Sequence, residues 1–175
     1  GLSANDMTFE MVGTTTAGTT FTLTQPAGGL VNPDVQPALD QVGNVWETMF
    51  LNCLSTTDTA ALDAFSTFGE GRWGALVRKP CVVFTGTTTT AATDAMVIPS
   101  GRKLDRTNVQ LVEPAGSDLL FVIAARQLAR IAVLAGRNPA HDYGSQVADG
   151  LVPGADEFQW LYTDRDLAVK GGSST

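Results

Sequence analysis

Apolar and polar residues alternate near the start of the chain. Every second residue of "DMTFEMV" (6–12) is apolar, and "FTLTQ" (21–25) repeats the alternation after a threonine-rich turn. A period of two is typical of strands that are buried on one face. The pattern predicts a β-hairpin over residues 6–25, and the Pro- and Gly-containing residues 26–33 then form a linker.

After residue 33, buried strands and helices are predicted to alternate. Nearly continuous apolar runs, which suggest strands buried on both faces, occupy residues 45–54, 80–86 and 108–114. Four helices are predicted. One begins near Asp34, one has Thr57 or Asp58 as its N-cap, and one lies around Ala91 to Val97. The fourth is a long helix that is capped by Ser117 or Asp118 and ends at Gly136.

This order predicts an α/β fold with a mainly parallel central sheet and helices on its faces, preceded by the N-terminal β-hairpin. Parallel neighbours need a crossover connection, and helices usually supply it. We therefore expect two regions: the hairpin and linker in residues 1–33, and an α/β core domain in residues 34–175.

Composition narrows the functional classes. The 175 residues are 43% hydrophobic with a formal net charge of -7, which favours a folded protein and argues against a nucleic-acid-binding surface. The longest apolar stretch, 119–134, is interrupted by Arg126, Gln127 and Arg130, so it is not expected to span a membrane. Cys53 and Cys81 lie in strand-like runs and are predicted to be buried thiols, as suits a reducing cytoplasm.

The sequence offers little catalytic chemistry. The loop "GTTTT" (86–90) lacks the Lys and second Gly of a phosphate-binding loop. Asp58, Glu113 and Asp118 could meet at the strand ends and hold Mg²⁺, although Asp58 and Asp118 are better explained as helix caps. His141 and Asp142 are adjacent in a loop, with no serine in a nucleophile elbow, and one histidine with two cysteines makes no zinc set.

These residues leave three functional alternatives open. We expect no cofactor, no metal and no catalytic residue, which favours a structural protein. The second alternative is a cytosolic α/β enzyme of the Mg-dependent phosphohydrolase type, and the third is a ligand-binding module. Arg126 and Arg130 lie four residues apart on one helix face and are candidates to meet a neighbouring copy's carboxylates, such as Asp63 or Glu70.

The second half of the chain resembles the Mu-like contractile tail sheath proteins of bacteriophages. The resemblance follows the order of four segments: Asn138-Pro139-Ala140 after a long helix, a Leu-Pro loop at 150–153, a short helix at 163–167, and a strand start at 171–175. Upstream, residues 27–58, which begin "AGGLVNPD", are similar to the same family. The chain departs from it at His141 and Asp142, where Arg and Pro are usual, and at 171–173, where "GGS" replaces "DGI".

The resemblance implies a structural subunit that stacks in six-fold rings around an inner tail tube and contracts to drive the tube into the host envelope. Its partners would be copies of itself, the tail tube protein, the baseplate and the tail terminator, with no nucleic acid or membrane. It implies a virion tail protein that is assembled in the host bacterial cytoplasm. It also implies that this chain is the central sheath fragment, truncated before a C-terminal domain.

On this interpretation, the long segment 137–160 wraps over the surface. Its aromatic anchors would hold it either to its own domain or to a neighbouring subunit. With Arg126 and Arg130, the predicted subunit-contact candidates are Tyr143, Phe158, Trp160 and Tyr162.

Overall fold

The structure is a computed structural model that describes residues 32–140, 143 and 150–174. The chain divides into two compact units, Gly1–Pro33 and Asp34–Thr175, and the second is treated by itself below. The predicted hairpin over residues 6–25 lies outside the described residues.

Strands and helices alternate through the second unit. The described helices are α1 (Gln36–Val42), α2 (Thr59–Trp73), α3 (Ala92–Ala95), α4 (Val97–Ser100), α5 (Leu120–Arg137) and α6 (Tyr162–Gly171), and a 3-10 turn lies at Asp156–Phe158. The strands are β1 (Met49–Asn52), β2 (Val82–Thr89) and β3 (Asn108–Pro114).

The three strands form one parallel sheet in the order β1-β2-β3. Beyond β3, Ser174 makes a parallel bridge with Leu111, donating its N–H to the Gln110 carbonyl and accepting from the Val112 N–H, both at 2.8 Å. The prediction of an α/β fold with a parallel sheet and helices packed on it is therefore confirmed.

Each face of the sheet has its own core. On one face, α5 covers Phe84 and Leu111 with Ala124. On the other face, Val83 packs with Leu39 and Phe65 from α1 and α2, while Val112 packs with residues of α3 and α6. Successive strand residues point to opposite faces, so the nearly continuous apolar runs follow from burial on both sides.

Two predicted strand ends and the predicted burial of Cys53 need correction. β1 ends at Asn52 because the Asn52 side chain turns back to accept from the Leu54 N–H at 2.9 Å, and Cys53 is consequently exposed, contrary to prediction. Cys81 is buried as predicted. The "GTTTT" segment is not a loop, since its β-branched threonines continue β2 as far as Thr89 alongside β3.

The single helix predicted around Ala91 to Val97 is two short helices that meet at Met96. Pro99 has no N–H to donate to the Ala95 carbonyl, which a continuous helix would require. The Ala95 carbonyl instead accepts from Gln110 Nε2 at 2.7 Å and from Ser173 Oγ at 2.8 Å. The break therefore ties α3 to β3 and to the end of α6.

The two predicted acidic caps have different outcomes. Asp58 caps α2, accepting from the Ala61 N–H at 3.0 Å, as predicted. The cap predicted at Ser117 or Asp118 is wrong, because α5 begins after Leu119 without a side-chain cap. Asp118 instead accepts from the Val152 N–H and so fixes the segment that leads to α6.

Gly86 sets the distance between β2 and α5. A Cβ atom at Gly86 would lie 1.9 Å from the Leu120 carbonyl oxygen, so the helix backbone rests directly on the strand. At Gly136, in the last turn of α5, an added Cβ meets nothing within 4 Å.

We expect Gly86→Ala to lower the free energy of unfolding by about 3 kcal/mol, because the helix must move away from the sheet. Gly136→Ala is the matched control and should be neutral or stabilising by at most about 1 kcal/mol. Urea unfolding followed by circular dichroism measures both, and equal stabilities for the two variants would contradict the assigned contact.

Candidate functional site

The strand ends, where ligands sit in many parallel sheets, are occupied by structural contacts. Thr87, Thr88 and Thr89 still pair with β3, and Thr88 Oγ1 donates to the Gly116 carbonyl at 3.1 Å. Asp58 serves as the α2 cap, and Asp118 binds the Val152 N–H. Within the described residues, no group of three His, Cys, Asp or Glu side chains is placed to hold a metal ion.

Glu113, near the end of β3, is the perturbed acid at this edge. Burial is the main cause that raises the pKa of the Glu113 carboxyl, the nearby Asp118 charge raises it further, and Arg165 partly offsets both. The Glu113 carboxylate is therefore held where its charge is disfavoured. The structure brings Glu113 and Asp118 within electrostatic range of one another.

A row of polar side chains crosses the sheet on the face under α2 and α4. Asn52, Thr85 and Gln110 occupy successive register positions on the three strands, and Asn52 Nδ2 donates to Thr85 Oγ1 at 3.1 Å. Asn52 and Thr85 are almost fully buried, at 2% and 1% exposure. This row was not predicted from the sequence, because each polar residue lies within a mostly apolar run and only the strand register shows that the three are neighbours.

A cavity of about 170 Å³ adjoins this row. It is lined by threonines and amides of the sheet face, by Arg102 and Lys103, and by Asp105. Burial would raise the pKa of the Asp105 carboxyl, but hydrogen bonds from Asn108 and from the Thr107 and Asn108 N–H groups lower it on balance. Arg102 forms ion pairs with both Asp63 and Asp105. The Asp105 carboxylate therefore has hydrogen-bonding and charged partners within the unit.

The predicted aromatic anchors fall into two groups. Trp160 is buried, packs with Ala92, Val112 and Ala168, and donates from Nε1 to the Thr90 carbonyl at 3.0 Å, so it anchors the segment to its own unit. Phe158 and Tyr162 are 42% and 84% exposed. The Tyr143 hydroxyl donates to the Pro139 carbonyl at 3.2 Å.

Arg126 and Arg130 are both exposed on α5, as expected for side chains that share a helix face. Arg126 lies under the turn at Gly150, whose added Cβ would come 2.2 Å from the guanidinium. Gly150 has φ +85°, a left-handed conformation that glycine adopts without strain. The contact role predicted for the two arginines stays a prediction.

Many large apolar side chains are exposed. Leu76, Leu104 and Leu161 are 100%, 92% and 72% exposed. Others at least 46% exposed are Val45, Trp46, Trp73, Val77, Val97, Leu119, Val133, Val152, Tyr162 and Val169.

Comparison with known proteins identified no relative of this chain. No family model matches the sequence, and neither a curated protein nor a solved structure is significantly similar to it. Among the described helices, none is long and apolar enough to cross a bilayer.

The raised pKa of Glu113 predicts a pH-dependent effect on stability. An acid whose pKa is raised by folding binds its proton more tightly in the folded state, so its ionised form destabilises the fold above that pKa. Glu113→Gln should therefore increase the free energy of unfolding at neutral pH, and this advantage should shrink as the pH falls through the folded-state pKa.

Urea unfolding at several pH values measures this difference. Glu157→Gln makes the same change at an exposed position and serves as the control. An advantage of Glu113→Gln that stays constant from neutral to acid pH would show that the carboxylate is not destabilising.

Proposed function

We propose that this chain is part of a contractile tail sheath subunit of a bacteriophage, a structural block that stacks beside copies of itself. The observation that carries the proposal is the amount of large apolar surface left uncovered by a well-packed core. Apolar side chains exposed singly are common on monomers, but grouped ones mark surfaces that a partner covers. Trp46 and Trp73 form such a group, since both are exposed and bind the adjacent Pro80 and Cys81 carbonyls.

The order of segments after α5 supports the proposal. Asn138, Pro139 and Ala140 follow directly on the C-terminus of α5, α6 follows the 150–160 segment, and Ser174 then begins to extend the sheet beside β3. This is the succession of helix, loop, short helix and strand start that the resemblance to sheath proteins implies.

The β1 edge of the sheet is suited to the addition of a strand from a neighbouring subunit. β1 is an edge strand, since among the described strands it pairs only with β2. A row of backbone N–H and C=O groups on such an edge is a template for an extended arm from another subunit.

Contraction requires subunits that move as rigid bodies and change their contacts with one another. The close packing at Gly86 and the hydrogen bonds around the Ala95 carbonyl make the interior a single block. In this function the partners are further copies in six-fold rings, the tail tube, the baseplate and the tail terminator, and the location is the virion tail.

The test is assembly of the protein that contains this chain. Expressed without other tail components, it should form rings or short tubes that are visible by negative-stain electron microscopy. A protein that stays dispersed under all solution conditions would overturn the proposal.

Substitutions at two carboxylates separate the structural function from the alternative enzyme. Asp58→Ala should cost about 1 kcal/mol of stability through the lost cap, Asp58→Asn should cost little, and Glu113→Ala should leave assembly intact. Each variant should be assayed for Mg²⁺-dependent release of phosphate from p-nitrophenyl phosphate. A turnover in the unmodified chain that Glu113→Ala abolishes would establish the enzyme instead.

A further inference from the structure

The parallel topology gives the second unit two chemically distinct ends. Each crossover helix runs back against the strands, so helix N-termini lie where strands finish and helix C-termini lie where strands begin. We call these the carboxyl end and the amino end. The Trp160 bond to the Thr90 carbonyl, one residue beyond β2, places the start of α6 at the carboxyl end.

The carboxyl end is acidic. Asp94 and Asp164 lie in the first turns of α3 and α6, and Asp156 and Glu157 form the 3-10 turn, next to the residues that follow β2. Asp58, Glu113 and Asp118 add negative charge behind them. Among the described residues, the bases in reach are Arg165 in α6 and Arg102, which donates to the Thr59 carbonyl in the first turn of α2 and pairs with Asp63. The amides of helix N-termini favour this accumulation of acids.

The amino end carries the opposite charge. Arg78 and Lys79 precede β2, Arg106 precedes β3, and Arg137 ends α5. These four bases outnumber the three acids beside them, which are Glu47, Glu70 and Asp105, and Asp105 is already paired with Arg102. Arg78, Arg106 and Arg137 are exposed, so their charges face solvent.

Exposed apolar side chains accompany the charges at both ends. At the amino end, Trp46 and Trp73 flank the entry to β2, donating from Nε1 to the Pro80 and Cys81 carbonyls, and Leu76 is fully exposed in the neighbouring turn. At the carboxyl end, Phe158, Leu161 and Tyr162 are exposed around the start of α6. Each end thus combines an apolar centre with charges of one sign.

We propose that the amino end of one copy binds the carboxyl end of the next, so that copies stack head to tail along the strand direction. Basic residues then face acidic residues while Trp46, Trp73 and Leu76 meet Phe158, Leu161 and Tyr162. Contact between two like ends would bring like charges together, which disfavours a two-fold symmetric pair. A head-to-tail contact that does not close on itself continues from copy to copy.

The inference rests on the proposed function in that it gives the stacking subunit a defined contact. The proposed function requires only that subunits associate, through whichever faces. The inference names the two ends of the unit as the faces that meet.

The experiment reverses the charge of one end at a time. The basic-end variant carries Arg78→Glu and Arg106→Glu, and the acidic-end variant carries Asp156→Lys and Glu157→Lys. All four side chains are exposed, and thermal unfolding checks that the variants fold like the unmodified chain. The matched controls keep the charges: Arg78→Lys with Arg106→Lys, and Asp156→Glu with Glu157→Asp.

Sedimentation velocity over a range of concentrations measures association. Each reversed variant alone should associate at least about tenfold more weakly than the unmodified chain, because both of its ends then carry the same sign. An equimolar mixture should regain association, since each end of one variant complements an end of the other. Salt should weaken association of the unmodified chain and of the mixture.

The outcomes separate the two proposals. If the unmodified chain associates and the charge reversals have no effect, or if mixing fails to restore association, the head-to-tail contact is wrong while the assembly function stands. If the chain does not associate and its parent protein forms no rings or tubes, both proposals fail. A chain that stays monomeric while the parent protein assembles overturns the head-to-tail contact alone.

Discussion

The parallel sheet is the constraint on which the rest of the structure depends. Parallel neighbours cannot be joined by tight turns, so each connection returns over a face of the sheet and covers it. The strands β1, β2 and β3 are therefore buried on both sides, and their apolar runs follow from that burial. The same constraint aligns the helix dipoles and collects acids such as Asp94 and Asp164 at one end and Arg137 at the other.

Buried polar groups then fix how the layers fit together. Pro99 interrupts the helix between α3 and α4, and the Ala95 carbonyl that it frees is satisfied by Gln110 and Ser173. An unsatisfied carbonyl at that depth would cost free energy, so the three segments are held in one arrangement. On the same face, Asn52 donates to Thr85, which lies beside Gln110 in register. The buried hydrogen bonds therefore select one arrangement of the helices on the sheet, which apolar packing alone would not do.

The fold class followed from the sequence because strand-like apolar runs alternate with helical patterns, a signal that is local at every step. The contacts that overturned individual predictions join residues far apart in the sequence. Asp118 resembled a cap by its place before a helix, but it binds Val152, 34 residues away. The polar row of Asn52, Thr85 and Gln110 depends on register between strands, which no single run of residues encodes. Exposure of Leu76 and Tyr162 likewise requires the packed structure.

The carboxylates at the strand ends and the exposed apolar side chains bear differently on function. Of the three carboxylates that a metal-dependent enzyme would need at the strand ends, Asp58 is held by the α2 cap and Asp118 by Val152. Turning either of them toward a metal ion would break a contact that positions a helix or a loop. The side chains of Leu76 and Tyr162, by contrast, are 100% and 84% exposed, so a partner can cover them without such a loss. Under the proposed function, these outer surfaces are the ones that would exchange one set of neighbours for another while the interior stays unchanged.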